Sequence, residues 1–531
     1  MMQMMKSRWK LSATLAAMTA TGMLYAMPAG FAAEAQMQNA PATETSAQTS
    51  SAAMTAQPAA QTAPAHKEMQ RAAQQTSKPF AVVRAGKKWG AVAPSGSLAI
   101  PAAYDQIASY SADAVAVRQG KTWGIVRMDG TVIVPAIYKT IQPLSADVII
   151  VSDAKDKVGA YNTAGKQILP VEYLAVGPFS DGISCVQRND KKYVFYRQDG
   201  SLLTNDVYDA AYSFSEGLAP VKTTSGKYGF IDTTGTLIIP AAYDWAGGFQ
   251  EGLSRVEIKK KLGFIDKSGT MVIPPQYRLG DVWDFQDGLA MVKEKKYRAF
   301  IDKTGVKVIQ TRYSDVMPFE NGLAEVRREV KVGLLGGFLT SAVSFATGVP
   351  TFGVGTDLIG EKTKRGYIDK TGAEIISTKN DYNSIFMDGV ALVRVKSKWG
   401  IVDRKGVYVI EPKYKAIHFF YDDLAAVQDG DKWGFVGRDG KIVIEPKYDE
   451  VHDFTDGLAA VRQGTKKFFI DKTGRAPFLL PNSITDIGMF NDGFAPVKIN
   501  GKWGFIDHTG TVVIPPTYDE VLTHQYTTDS L

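Results

Sequence analysis

Lys502-Trp-Gly-Phe-Ile-Asp-His-Thr-Gly510, followed by Val512-Val-Ile-Pro-Pro516 and Tyr518-Asp-Glu-Val521, is the clearest copy of a pattern written along most of this 531-residue chain. The glycine after the aromatic recurs at Gly90, Gly124, Gly159, Gly229, Gly263, Gly366, Gly400, Gly434 and Gly504, and Val194, Ala299 and Phe468 hold its place in degenerate copies. Twelve copies result, spaced 34 to 36 residues apart except for one gap of 67. A fixed period of this length marks a repeat architecture, in which one unit cannot bury its own apolar face and stacking supplies the core.

Within a copy the apolar residues come in short runs of strand length. Phe505-Ile-Asp507 and Thr511-Val-Val-Ile514 flank His508-Thr-Gly510, predicting a type I turn closed by a left-handed glycine, with the aspartate accepting turn amides. Asp232, Asp266, Asp302, Asp369, Asp471 and Asp507 all fit that role, and one carboxylate per copy falls short of the oxygen cluster that calcium needs. A proline after the second run, as at Pro240, Pro274, Pro446 and Pro515, is expected to end that strand by removing an amide. Tyr-Asp pairs follow, then Phe and a Gly turn, as in Phe454-Thr-Asp-Gly457, then Leu-Ala-x-Val. Each copy is thus three or four short strands.

The aromatics Trp89, Trp123, Trp399, Trp433 and Trp503, with Tyr228, occupy equivalent sites. They are expected to be structural, each packed over the adjacent Gly90, Gly124, Gly400, Gly434 or Gly504, which would leave room for the ring. A ladder of rings that stacks on carbohydrate is the alternative.

The fold class is all-β, and two arrangements are compatible with it. An open twisted β-solenoid-like array is the favoured reading, with β-propeller blades as the alternative. Pro79-Phe-Ala-Val-Val83 looks like the last strand of a copy that lacks its beginning, while the final copy stops after Tyr518 without its own Leu-Ala-x-Val. Pairing the two would close a ring, yet an open array with staggered ends has the same offset.

From Lys78 to Tyr518 the string of aromatic-Gly, Ile-Asp-x-x-Gly, Ile-Pro, Tyr-Asp and Phe-x-Asp-Gly-Leu-Ala-x-Val resembles the WG-repeat (KWG) family of bacterial proteins. That resemblance implies a β-rich repeat domain, often in envelope or secreted proteins. It implies no enzymatic activity, ligand or catalytic residue.

Residues 1–35 have the three parts of a secretory signal peptide: Lys6, Arg8 and Lys10, an uncharged and largely apolar run from Leu11 to Tyr25, and small residues around Ala32 and Ala35 where cleavage is expected. No cysteine follows to accept a lipid. Residues 36–77 are mostly Ala, Thr, Gln, Ser and Pro without an aromatic, which predicts a disordered spacer. Repeats one to seven are placed at 78–331 and eight to twelve at 365–531. Export to the cell surface, periplasm or medium is the expected localisation.

The long gap holds an insert at 332–364, in which Val332 to Thr356 carries no charge and many glycines. It falls where the turn between Leu323-Ala-Glu-Val326 and Arg365-Gly-Tyr-Ile-Asp369 should be. Its glycines and Pro350 argue against a spanning helix. Leu334, Leu335, Phe338, Val343, Phe345 and Phe352 are the candidate interaction surface, for an envelope protein, a peptide, a glycan or a peripheral membrane contact.

Other chemistry is sparse. The formal charge of +6 falls to +3 once Lys6, Arg8 and Lys10 are removed (6 − 3), or to +4 if Glu34 leaves too, which is no nucleic-acid footprint. The single cysteine, Cys185, sits in the apolar run Ile183-Ser-Cys-Val186 and reads as a buried hydrophobe. His418 and His452 stand 34 residues apart, at one site of successive copies, where with Asp453 they lack a third recurring ligand for zinc. No catalytic residue, metal ligand or cofactor site is assigned. The expected function is a non-enzymatic repeat protein giving an extended binding or structural surface at the cell envelope. A carbohydrate-processing enzyme or its accessory module would require carboxylates of different copies to converge, and a scaffold acting on membranes through the insert is the other alternative.

Overall fold

The computed structural model describes residues 81–111, 113–145, 148–329 and 363–522. The expected leader at 1–35, the spacer at 36–77, all but the last two residues of the insert at 332–364, and the candidate surface residues Leu334, Leu335, Phe338, Val343, Phe345 and Phe352 lie outside them.

Among the described residues twelve antiparallel sheets follow one another, ten of four strands and two of three. Within those residues blades 2 to 12 occupy 106–138, 140–173, 175–197, 210–243, 245–277, 282–310, 315–329 with 363–376, 382–414, 416–448, 450–471 and 484–518. Blade 1 takes three strands from residues 81–104 and its other edge from Glu520–Leu522, with Val82 opposite Leu522 and Val83 opposite Val521. The chain therefore closes on itself, and the twelve sheets form a propeller-like ring. This is the arrangement the sequence admitted as its alternative, and the open array does not form. The incomplete copies at the two ends complete each other, which satisfies the backbone groups that staggered ends would leave bare.

Every joint between blades holds one apolar cluster, twelve in all, and the clusters are the core. Phe435, Ile444 and Tyr448 of blade 10 pack with Phe454, Ala459 and Val461 of blade 11. At the closing joint Phe505, Ile514 and Tyr518 of blade 12 pack with Ala81, Val83 and Val92 of blade 1. The Phe that follows the marker glycine meets, edge to face, the Phe that precedes the next blade's Gly turn. Ring centres are 4.7 Å apart for Phe435 and Phe454, 5.0 Å for Phe264 and Phe285, and 4.9 Å for Phe469 and Phe490. Neighbouring blades also touch along first strands, Trp245–Gln250 against Val282–Gln286, the side on which a fan of sheets converges.

The proline does not end its strand, contrary to the expectation. In blade 12 Trp503 pairs with Tyr518 and Phe505 with Ile514, so two extra residues of the fourth strand bulge between them, and the strand runs on from Val512 to Tyr518. Pro515 and Pro516 occupy that bulge, where no ladder donor is needed. The bulged backbone lies directly over the marker glycine. A Cβ on Gly504 would stand 2.8 Å from the Pro516 nitrogen, one on Gly434 2.6 Å from the Pro446 nitrogen, and one on Gly263 2.5 Å from the Ile273 oxygen.

Where the glycine is missing the surplus residues are placed differently. Ala299 pairs with Gln310 and Phe300 with Ile309 one to one, and the surplus falls beyond Gln310, where Arg298 accepts the Thr311 amide and donates its own to the Tyr313 carbonyl, each at 3.0 Å. Blades 4 and 11, with Val194 and Phe468 at the marker position, have no fourth strand.

Candidate functional site

Strand direction alternates along the chain, so each blade sends the turns after its first and third strands to one rim. The turn after its second strand and the passage to the next blade reach the other rim. On that second rim the lysine before Trp-Gly meets the aspartate of Tyr-Asp. Lys88 Nζ lies 2.6 Å from Asp105 Oδ1, and Asp105 Oδ2 accepts the Gly120 amide of the next blade at 2.8 Å. Lys432, Asp449 and the Gly464 amide repeat the link at 2.5 and 2.6 Å, and Lys502, Asp519 and the Gly86 amide repeat it across the closing joint. The lysine first, then the glycine amide, holds the carboxyls of Asp105, Asp449 and Asp519 below the usual aspartate range. These carboxylates were missed in the sequence reading, although the signal was there: lysine and aspartate stand 17 residues apart each time.

The other rim is tied by the acidic residue of the Phe-x-Asp-Gly turn. Asp456 and Gly457 have φ of 51° and 78°, the type I′ geometry of a tight hairpin. The Asp422 carboxylate accepts the Gly457 amide at 2.7 Å, and Asp456 in turn accepts the Gly493 amide at 2.8 Å.

The recurring Asp-x-Thr-Gly turn behaves as expected. Asp507 Oδ1 accepts the amides of Thr509 at 2.9 Å and Thr511 at 3.1 Å and the Thr509 hydroxyl at 2.6 Å, and Gly510 has φ of 80°. In the equivalent turn the Thr304 hydroxyl lowers the Asp302 carboxyl below its ordinary value.

Trp399 is buried, and Trp89, Trp123, Trp433 and Trp503 are half-buried. A cation from the partner strand covers most of them: Arg84 lies 5.9 Å from the Trp89 ring, Arg118 5.8 Å from Trp123, Arg394 5.6 Å from Trp399 and Lys498 5.5 Å from Trp503. His418, on the first strand of Trp433's own blade, packs 5.1 Å from Trp433, and Tyr382, on the first strand of Trp399's own blade, lies 5.4 Å from Trp399. The rings thus serve as packing between cation and neighbour. The glycine beside each makes room for the bulged backbone of the fourth strand, not for the ring as the sequence suggested.

His418 Nδ1 donates to Asp453 Oδ1 at 2.8 Å. His452 gives its backbone amide to Ala460 and lies beside Glu450, Lys467 and Asp486 around a small recess. Among the described residues no group of three His, Cys, Asp or Glu is arranged to hold a metal. Cys185 is buried with a free thiol, which burial pushes up to about 12.

The insert's base is well defined. Leu323–Glu329 and Thr363–Asp369 pair without interruption, from Leu323 opposite Asp369 to Glu329 opposite Thr363. Glu329 and Thr363 therefore stand opposite each other at the lysine rim of blade 8. Among the described residues no helix is long and apolar enough to cross a membrane.

The fold and its joints define a closed propeller of short WG-type blades. The family model for the WG containing repeat matches twelve stretches, 89–123, 123–153, 159–193, 199–228, 228–261, 263–297, 299–329, 366–399, 399–433, 433–466, 484–503 and 503–523. This chain belongs to the WG-repeat family. No curated protein matches it in sequence. Among solved structures it is similar to a eukaryotic initiation factor (12% identity, 75% of this chain and 99% of that one, TM-score 0.33). It is also similar to PorZ, a bacterial surface component of the type-IX secretion system of Porphyromonas gingivalis (10%, 82% and 80%, TM-score 0.22), and to the tricorn protease (10%, 84% and 51%, TM-score 0.22). Likenesses this distant carry no functional argument.

Proposed function

We propose that this protein is an exported, non-enzymatic scaffold whose ring gives an extended binding or structural surface at the cell envelope. The basic, apolar and small-residue segments of the first 35 residues support export. The observation that carries the surface role is the pairing of Glu329 with Thr363. It brings together on one rim the two residues between which the sequence carries its uncharged, Gly-rich run, and the strands on either side pair without interruption. Leu334, Leu335, Phe338, Val343, Phe345 and Phe352 would make the contact, with an envelope protein, peptide or glycan, or with a lipid surface at its periphery. Because its two ends are adjacent, a segment that entered a membrane would have to return to the same side.

The test replaces Val332–Thr356 by a short Gly/Ser turn in the full chain. The variant is expected to keep its melting temperature and to lose self-association or retention in the envelope fraction. Unchanged association would end the proposal. Release of the native protein by high salt points to a peripheral contact, and a need for detergent to insertion.

A further inference from the structure

Among the described residues nine joints of the ring carry a Lys–Asp ion pair on the lysine rim: Lys88–Asp105, Lys139–Asp156, Lys192–Asp209, Lys227–Asp244, Lys293–Asp281, Lys415–Asp431, Lys432–Asp449, Lys467–Asp486 and Lys502–Asp519, with the lysine in the place after Tyr at Lys139 and Lys415. The joint between blades 7 and 8 departs from this. Its Tyr313-Ser314 replaces Tyr-Asp. Lys139, Leu174, Arg278 and Lys415 also stand in the aspartate's place at other joints, three of which keep a Lys–Asp pair with an aspartate from another position, and this joint has none among the described residues. The turn whose amide would have met the aspartate's carboxylate is replaced by the base of the insert.

A cavity of about 290 Å³ lies at this joint, lined by Arg312, Ser314, Arg327, Arg328 and Lys379 and by one carboxylate, Glu329. Arg312 is tied to Glu374 at 2.7 Å, and Arg327 to Glu325 at 2.7 Å with Asp315 at 3.9 Å. Among the described residues the Arg328 side chain donates only to the Thr378 carbonyl, at 3.0 Å, and neither it nor Lys379 pairs with a carboxylate. Guanidinium forks and an ammonium around an open space suit an oxyanion, which two parallel N–H donors bind with directional strength. The volume is near the lower end of small-ligand sites, about 300 Å³.

We propose that the joint between blades 7 and 8 binds a small ligand bearing two or more negative charges, as carboxylate or phosphate. The ligand's oxyanion takes the place that an aspartate fills at other joints, with Arg328 and Lys379 as its main contacts. This site stands or falls independently of the envelope role, because its readout is direct ligand binding.

The experiment is calorimetry on the full chain with pyrophosphate and with citrate, at constant ionic strength. One-to-one saturable binding is expected, and the tighter probe identifies phosphate or carboxylate as the preferred oxyanion. Arg328→Ala with Lys379→Ala weakens binding at least tenfold. Ser314→Asp, which restores the repeat's carboxylate, weakens it as much while keeping the melting temperature at or above the native value. That variant separates loss of the site from loss of the fold. Failure of both probes to saturate, or unchanged affinity in Ser314→Asp, overturns the proposal.

Discussion

The Asp519 carboxylate accepts the Gly86 amide at 2.8 Å across 433 positions of sequence. With Lys502 on its other oxygen, it repeats at the chain's closure the link that Asp105 and Asp449 make within the array. The last joint is thus built as the others are.

A chain ended after Tyr518 loses the edge strand of blade 1 and the Arg84–Glu520 pair, and uncovers Val82 and Val83. Exposing a buried valine costs about 2 kcal/mol. Lower melting temperature and self-association through the bared edge are expected in calorimetry and gel filtration. A melting curve identical to that of the full chain would mean that closure contributes nothing.

Gly434→Ala places a Cβ 2.6 Å from the Pro446 nitrogen, a backbone atom that cannot step aside without moving the bulge. Overpacking of this kind costs about 1–3 kcal/mol. At Gly217, where a Cβ meets nothing within 4 Å, the strain comes from its φ of 87° alone. Urea midpoints should therefore fall for Gly434→Ala, and an unchanged midpoint would show that the bulge yields without cost.

Phe435 and Phe454, 4.7 Å apart, join blades 10 and 11. Phe435→Ala should cost about 3–5 kcal/mol. A double-mutant cycle with Phe454→Ala should give a coupling of about 0.5–1.5 kcal/mol. Strict additivity would show that the two rings do not act together.

The joint aspartates have folded values lowered from 3.8, so they contribute stability that is present above that value and lost as pH falls through the lower folded one. The melting temperature should hold down to about pH 4 and then decline. Asp449→Asn with Asp519→Asn should start lower at neutral pH and decline less. Parallel curves for native and variant chains would remove these carboxylates from the account.

Cys185, with its thiol pushed up to about 12, should not react with a thiol reagent at pH 8 in the folded ring. Its labelling should rise together with the denaturant unfolding curve, and prompt labelling of the native protein would contradict its burial.

Much of each blade is legible residue by residue. The Asp507 turn and the Asp456-Gly457 hairpin follow from contacts between residues a few places apart, and the period shows them in copy after copy; the position of the insert base follows from the one gap of 67 residues. The role of Gly504 was misread because its crowding partner, Pro516, matters only once the fourth strand has bulged over it. The Lys502–Asp519 link was legible as a spacing but meaningless without knowing which rim the two share.

By itself, then, the sequence determined the strands, their turns and the number of copies, since hairpin pairing and turn chemistry are local and each copy carries its own instructions. Only the tertiary structure decided that the array closes. Twelve wedge-shaped joints must sum to a full turn before Val83 can meet Val521, and that sum depends on how side chains such as Phe435 and Phe454 pack between sheets, a geometry no single copy encodes.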